Sequence, residues 1–244
     1  MSQHPNEFLG SSEERNEDYK KSFNYHKYFS YLVKNDTPII FDVGGHLGES
    51  VIFFNSIFPN STIYSFEPDS DNFQKLAKNF VRDNVFYFNI ALSDEVGVYD
   101  FYKQDKTHLG SLYPVNKNSK DSIGYAKNAI NQKTTVKTTT LDEFSTEHSI
   151  NSVDILKIDV QGAELKVLLG AKSTLKTTKC ISMEISLFDF YGNQKDSFAK
   201  ITKILSEEGF FLWDIMKISK NPQNFRTDWI EAVYIREEIF APSA

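Results

Sequence analysis

Five acidic residues end or follow apolar runs of this sequence: Asp42, Glu67, Asp94, Asp159 and Glu184. An acid at such a place commonly caps a helix or closes a strand and does nothing more. Several carboxylates brought to one rim would repel one another unless something cationic lay among them. A sulfonium, an amino group or a divalent metal would all serve. Three glycines, Gly44, Gly45 and Gly48, accompany the first of these acids. Gly44 and Gly45 can take positive φ at little steric cost, and without Cβ atoms they admit a ligand close to the backbone. If a helix follows, its free N–H groups and positive dipole end favour a carboxylate or phosphate there.

The glycine pattern is Gly-Gly-x-x-Gly, which lacks the full Gly-x-Gly-x-x-Gly dinucleotide fingerprint. Glu67 follows the glycines by roughly twenty positions, at the end of a second apolar run, where an acid can accept hydrogen bonds from a ribose diol. Any adenosine cofactor offers that diol. The spacing therefore leaves NAD and S-adenosylmethionine both open.

The elements that must hold these residues follow from periodicity. Pro38–Phe41 reads as a buried parallel strand, and Val51 to Phe54 with Ile57 and Phe58 have the spacing of an inward helix face. Residues 61–66, 85–90 and 153–159 read as further strands, and 97–102 as a short additional one. Phe73, Leu76, Ala77 and Phe80, then Leu165, Val167, Leu168 and Leu169, then Phe198, Ile201, Ile204 and Leu205, mark helices between them. Residues 179–186 are another strand, and 210–215 with 229–236 form an antiparallel hairpin pair. Alternating strands and helices predict a doubly wound α/β domain, with ligand at the carboxyl ends of its strands.

Residues 1–16 are polar and read as a disordered tail, so a single domain spans 17–240, opening with a helical segment at 17–35. Residues 103–135 are rich in Lys, Asn, Ser and Thr with little periodicity. A stretch of that length reads as a lid or as disorder, with a short helix near Tyr125–Ile130. Across 244 residues the hydrophobic share is 40% and the net charge −6, which fits a globular chain and argues against nonspecific attraction to nucleic acid or anionic membranes. One cysteine, Cys180, forms no internal disulfide, and no signal segment or membrane-length apolar span is visible. The economical expectation is a cytoplasmic protein.

Four segments carry a resemblance: Phe41-Asp42-Val43-Gly44 with Gly48; Phe66-Glu67-Pro68; Ala91-Leu92-Ser93-Asp94; and Leu156-Lys157-Ile158-Asp159-Val160-Gln161-Gly162-Ala163-Glu164. Together they resemble the FkbM-type methyltransferases, over about Pro38 to Arg236. The resemblance implies a Rossmann-like seven-stranded sheet, mostly parallel, in which the last hairpin inserts an antiparallel strand, with helices on both faces. It implies an S-adenosylmethionine-dependent O-methyltransferase acting on a hydroxyl of a sugar or secondary metabolite. By position, Asp42, Gly44, Gly45 and Gly48 should face the methionine part of the cofactor. Glu67 should hold the ribose, Asn89 and Ala91 should lie beside the adenine, and Asp159 near the sulfonium and acceptor. Lys157 and Glu164 fall in the motif with structural duties expected. Where members commonly read Gly-Ala-Asn, this chain has Gly44-Gly45-His46.

A sugar or aliphatic hydroxyl is a poor nucleophile at neutral pH and needs a base or a metal. Asp159 alone could be the base with Glu184 in support, or the two could ligate Mg²⁺ through oxygen. His46 and His108 are rival bases. An NAD-dependent oxidoreductase and a binding module without catalysis are the competing readings.

Overall fold

A computed structural model of the chain describes residues 11–121, 124–192 and 197–236. Residues 1–10 of the expected tail and 237–240 of the expected domain lie outside them. Two helices come first, α1 (Ser12–Ser22) and α2 (Tyr25–Val33). Residues 12–16, expected in the tail, are thus helical: Ser11 and Glu14 form a capping box that satisfies N–H groups at the helix start. α1 buries none of its residues, so its sequence carries no apolar stripe to read.

The apolar run before the glycines is β1 (Ile39–Val43), and α3 (Glu49–Ile57) follows the turn. Next come β2 (Thr62–Phe66), α4 (Ser70–Asn79), β3 (Val85–Phe88), β4 (Ala91–Leu92), β5 (Gly97–Lys103) and β6 (Gln132–Thr139). The second half contains α5 (Leu141–Glu147), β7 (Val153–Ile158), α6 (Glu164–Leu169), α7 (Lys172–Leu175), β8 (Thr178–Ser186), α8 (Ser197–Glu207), β9 (Phe210–Lys220) and β10 (Thr227–Arg236).

Seven strands form one sheet in the order β3-β2-β1-β7-β8-β10-β9, with β10 antiparallel to both its neighbours. This is the expected topology. Alternation along each strand explains why both faces need cover. Ile40, Ile63 and Ile155 point to the side packed by Phe29, Leu32, Val51 and Phe54 of α2 and α3. Phe41, Leu156 and Ile158 point to the side packed by Phe144, Val167, Leu168 and Ile201 of α5, α6 and α8.

The segment at 103–135, expected as a lid or as disorder with a short helix, has defined structure over its described residues. β4, β6 and β5 make a second, three-stranded sheet, and β6 already begins at Gln132. A 3₁₀ turn covers Thr107–Leu109, and a turn replaces the helix expected near Tyr125–Ile130. Leu109, Val115 and Ala126 share a small core with Phe188, Phe190 and Tyr191. Side-chain amides and carboxylates shape the backbone here. Asp121 accepts the N–H groups of Tyr125 and Ala126, at 2.9 and 2.8 Å. Asn131 Oδ1 accepts from Val115 N–H and from Gln104, at 2.8 and 2.7 Å. Such bonds follow no period, which is why the sequence pattern misses this order.

Gly44 sits where β1 passes the end of β7. Its φ is +91°, and a Cβ added there would lie 1.9 Å from the carbonyl oxygen of Asp159. The glycine is required by a neighbouring strand, not only by a ligand. Gly44→Ala should therefore destabilise the fold by well over the ~1 kcal/mol of a strained φ alone. Gly124, with φ +74° and nothing within 4 Å of its Cβ position, is the matched control. Urea denaturation showing equal losses for Gly44→Ala and Gly124→Ala would refute the steric account.

Candidate functional site

A cavity of about 520 Å³ opens at the carboxyl ends of the central strands. Its walls include Val43 to His46, Phe66 to Pro68, Ile90 to Leu92, Lys157 and Asp159 to Gln161. Thr107 to Gly110, Tyr125, Glu184 and Trp229 complete the far side. The expected residues Gly44, Gly45, Glu67, Ala91, Asp159 and Glu184 thus meet on one cavity. Asp42, Gly48, Asn89 and Asp94 do not reach its wall.

Each of those four has a duty that explains its place. Gly48 is the N-cap of α3 and takes a φ of +101°. Asn89 donates to the carbonyls of Glu67 and Pro68 at 2.9 and 3.1 Å, bracing the turn that carries Glu67. Asp94 is an ion-pair partner of Lys166 at 2.7 Å. Asp42 is fully buried beneath the turn, where Ser65 donates to its Oδ2 at 2.7 Å. Its Oδ1 has no hydrogen bond, but Lys157 Nζ stands 3.6 Å away.

The glycine turn is not the open anion cradle that the sequence suggests. The N–H groups of Gly44 and Gly45 both donate to Phe66 O, at 3.0 and 2.9 Å. His46 N–H donates to Glu67 Oε2 at 2.9 Å, Leu47 N–H to Glu49 Oε2 at 3.2 Å, and Gly48 N–H to Gly45 O at 2.8 Å. Residues 44 to 48 therefore have no backbone donor left for a phosphate. What the turn offers instead is a carboxylate. Glu67 accepts from His46 and, through Oε1, from Asp69 N–H at 2.8 Å, and each oxygen keeps a lone pair. Burial pushes its pKa up to about 7, against those two N–H groups.

The other end of the cavity holds the acid pair. β7 and β8 are parallel neighbours, with Ile158 beside Met183, so the next residues, Asp159 and Glu184, emerge together. Gln161 lies between them: its Nε2 donates to Asp159 Oδ1 at 2.7 Å and to Glu184 Oε1 at 3.2 Å. Tyr191 O–H donates to Gln161 Oε1 at 2.7 Å, which fixes the amide's orientation. Lys157 Nζ is 3.5 Å from Asp159 Oδ2 and 3.4 Å from Gly44 O. Burial opposes the lysine's charge, but Asp159, Asp42 and Glu184 outweigh it and hold its pKa above the ordinary value. Burial and the nearby Asp159 drive Glu184 well above the usual carboxylate range. Glu164, expected to be structural, is buried and accepts Gly162 N–H at 2.8 Å.

A divalent metal fits this pair poorly. Asp159 already faces an ammonium and an amide N–H₂, and a metal would have to displace those donors. Among the described residues, no three His, Cys, Asp or Glu side chains converge as ligands. The histidines separate as well. Both ring nitrogens of His46 are engaged, Nδ1 with Glu49 at 3.2 Å and Nε2 with Thr107 at 2.9 Å. His108 lines the cavity, and burial followed by the proximity of His46 lowers its pKa.

The sequence pointed to Asp159, Glu184 and, through the lid reading of 103–135 and His108, to the Thr107–Gly110 wall, but not to Lys157, Gln161 or Tyr191 as parts of the site. A lysine inside an apolar strand was the available signal for Lys157. Tyr191 lies too far along the chain for any spacing to reveal it.

Residues 42–212 match the family described as the methyltransferase FkbM domain. The 2-O-methyltransferase NoeI of Sinorhizobium fredii is 29% identical over 182 residues, covering 71% of this chain and 73% of that protein. The 31-O-demethyl-FK506 methyltransferase FkbM of Streptomyces tacrolimicus is 29% identical, over 55% of this chain and 59% of its own length. The hexuronic acid methyltransferase AglP of Haloferax volcanii is 26% identical, over 70% and 63%. Among solved structures, the methyltransferase FkbM from Methylobacillus flagellatus shares the fold, with TM-score 0.50 and 13% identity over 90% of this chain and 50% of that one. No helix among the described residues is long and apolar enough to cross a membrane.

The bridge between the acids can be tested directly. Gln161→Leu removes a hydrogen bond that lowers the Glu184 pKa, so that pKa should rise further. Losing the donor should also cost about 1–3 kcal/mol of stability. Carbon-detected NMR titration of the Glu184 carboxyl in both proteins reads the shift, and an unmoved titration would remove Gln161 from the bridge.

Proposed function

The chain belongs to the methyltransferase FkbM family, and from that premise we propose that it is an S-adenosylmethionine-dependent O-methyltransferase acting on a hydroxyl of a sugar or other metabolite. The observation that carries this reading is the pairing within one cavity of a buried ribose-competent acid, Glu67, with the Asp159–Gln161–Glu184 cluster at the opposite end. The spent N–H groups of residues 44 to 48 favour it over a dinucleotide, whose pyrophosphate would want those donors. The names of two relatives specify methylation at oxygen, and a third names a hexuronic acid, which supports a hydroxyl acceptor of that kind.

Bound there, S-adenosylmethionine would supply a methyl group already activated on a sulfonium. The chain's own work is then to align, to exclude water and to manage one proton. Glu67 would accept from the two ribose hydroxyls through its free lone pairs. Ala91, with Ile90 and Leu92, gives an apolar wall for the adenine. Asp159 would accept the acceptor's hydroxyl proton as the methyl is transferred. Gln161 and Lys157 hold its two oxygens in place, and Tyr191 holds Gln161. Glu184, with its raised pKa, stays protonated more readily and so spares the pair a second negative charge.

Two outcomes are expected. Titration calorimetry should show binding of S-adenosylmethionine and S-adenosylhomocysteine but not of NAD. With ribose hydroxyls donating to the ionised acid, affinity is full above the Glu67 pKa of about 7 and is lost as pH falls through it. The loss approaches about tenfold per pH unit. Glu67→Gln should flatten that profile, and a slope that survives the substitution would assign the titration elsewhere. Asp159→Asn should keep S-adenosylhomocysteine affinity while turnover falls by about 10²- to 10⁴-fold, the usual share of a general base. Activity of the wild type should persist after exhaustive chelation, and its loss with rescue by Mg²⁺ would overturn the base mechanism.

A further inference from the structure

The wall made by Thr107 to Gly110 is a single chain thick. On its outer side lies a second cavity of about 590 Å³, bordered by Asn72, Lys75 and Lys78 of α4, and Thr107 and Gly110 line both cavities. Moving this strap would join the two spaces into one broad mouth over the cofactor cavity.

The strap is fastened at both ends. Thr107 Oγ1 lies 2.9 Å from His46 Nε2, while His46 Nδ1 lies 3.2 Å from the Glu49 carboxylate. With Nδ1–H donating to the carboxylate, Nε2 is left to accept the hydrogen bond of the Thr107 hydroxyl. At the other end Leu109 is buried against Phe188, Phe190 and Tyr191, and its carbonyl lies 3.3 Å from the Tyr191 hydroxyl, whose one proton goes to Gln161. His46 is therefore bound in two directions: its ring to the strap, and its N–H to Glu67 at 2.9 Å. It does this from a left-handed backbone conformation, φ +45°, that few residues other than Gly, Asn and Asp adopt readily.

We propose that His46 is a positioning residue that clasps the Thr107–Gly110 strap over the cofactor cavity and thereby sets how fast the cofactor leaves. The inference rests on the S-adenosylmethionine reading above. The clasp joins the strap to the glycine turn whose His46 N–H holds Glu67, so the strap opens only when the His46–Thr107 bond breaks. The role concerns exchange of the cofactor and not the chemical step.

His46→Asn is the decisive variant. Asparagine tolerates the left-handed conformation and keeps the N–H for Glu67, but its shorter side chain gives up Thr107. Thr107→Val removes the other partner with little change of shape, and Thr107→Ser should restore it. Stopped-flow release of S-adenosylhomocysteine should quicken about fivefold in His46→Asn and in Thr107→Val, the scale of one hydrogen bond. The double variant should be no faster than either single one, because they remove the same bond. Thr107→Ser should release at the wild-type rate. Unchanged release, or effects that multiply in the double variant, would overturn the proposal. If calorimetry finds no S-adenosylhomocysteine binding to the wild type, the cofactor reading fails and the link to cofactor release fails with it. Hydrogen exchange at the Leu109 amide, bonded to Lys106 O at 2.9 Å, then decides the clasp separately. Faster exchange in His46→Asn would uphold it, and equal exchange would discard it.

Discussion

Lys157 is the charge around which the site is arranged. It sits on β7 opposite Asp42 of β1, in register across two buried parallel strands. From there its ammonium faces Asp42, Asp159 and the Gly44 carbonyl within 3.6 Å. Removing the lysine would leave a fully buried Asp42 with neither charge partner nor hydrogen bond on one oxygen. The cation that converging carboxylates require is thus partly built into the sheet. Glu184 lies beyond that compensation: burial first, and then the nearby Asp159, raise its pKa against the lysine's pull.

The same economy governs the turn above it. A glycine-rich strand-to-helix turn is commonly read as a phosphate site, because its N–H groups are free. Here the N–H groups are consumed by Phe66 O and by the carboxylates of Glu67 and Glu49. Gly44 and Gly45 are small for reasons of packing. A Cβ on the first would strike the Asp159 carbonyl, and one on the second would lie 2.3 Å from Ser65 Oγ. With no Cβ at either position, β1, β2 and β7 can approach closely at their carboxyl ends, where Glu67 and Asp159 line the same cavity.

The sequence was legible wherever a regular period carried the information. Apolar runs such as 39–43 and 153–158 locate the central strands, and strand-end acids locate Glu67, Asp159 and Glu184. Position after a strand says little about direction, so Asp42 and Asp94 were expected at a rim that neither reaches: one is beneath it, the other paired with Lys166. Asn89 likewise turns toward the Glu67–Pro68 backbone. The stretch from 103 to 131 was opaque for a different reason. Its order comes from Asn, Gln and Asp side chains bonded to backbone many residues away, as Asn131 is to Val115.

That mode of order bears on the strap. Strands β5 and β6 are held by a full ladder, whereas Thr107 to Gly110 is held by a side-chain bond to His46 and by Leu109 packed among Val115, Phe188 and Phe190. A ladder opens cooperatively and at high cost, but isolated bonds of about 1 kcal/mol each can open one at a time. The bond goes to the glycine turn through His46. Leu109 packs against Tyr191, whose hydroxyl donates to Gln161 and so braces the acid pair. The strap is therefore anchored both to the glycine turn, through His46, and to the tyrosine that orients Gln161 beside Asp159. Closure over the cavity and order in the acid pair are thus supported by one tyrosine.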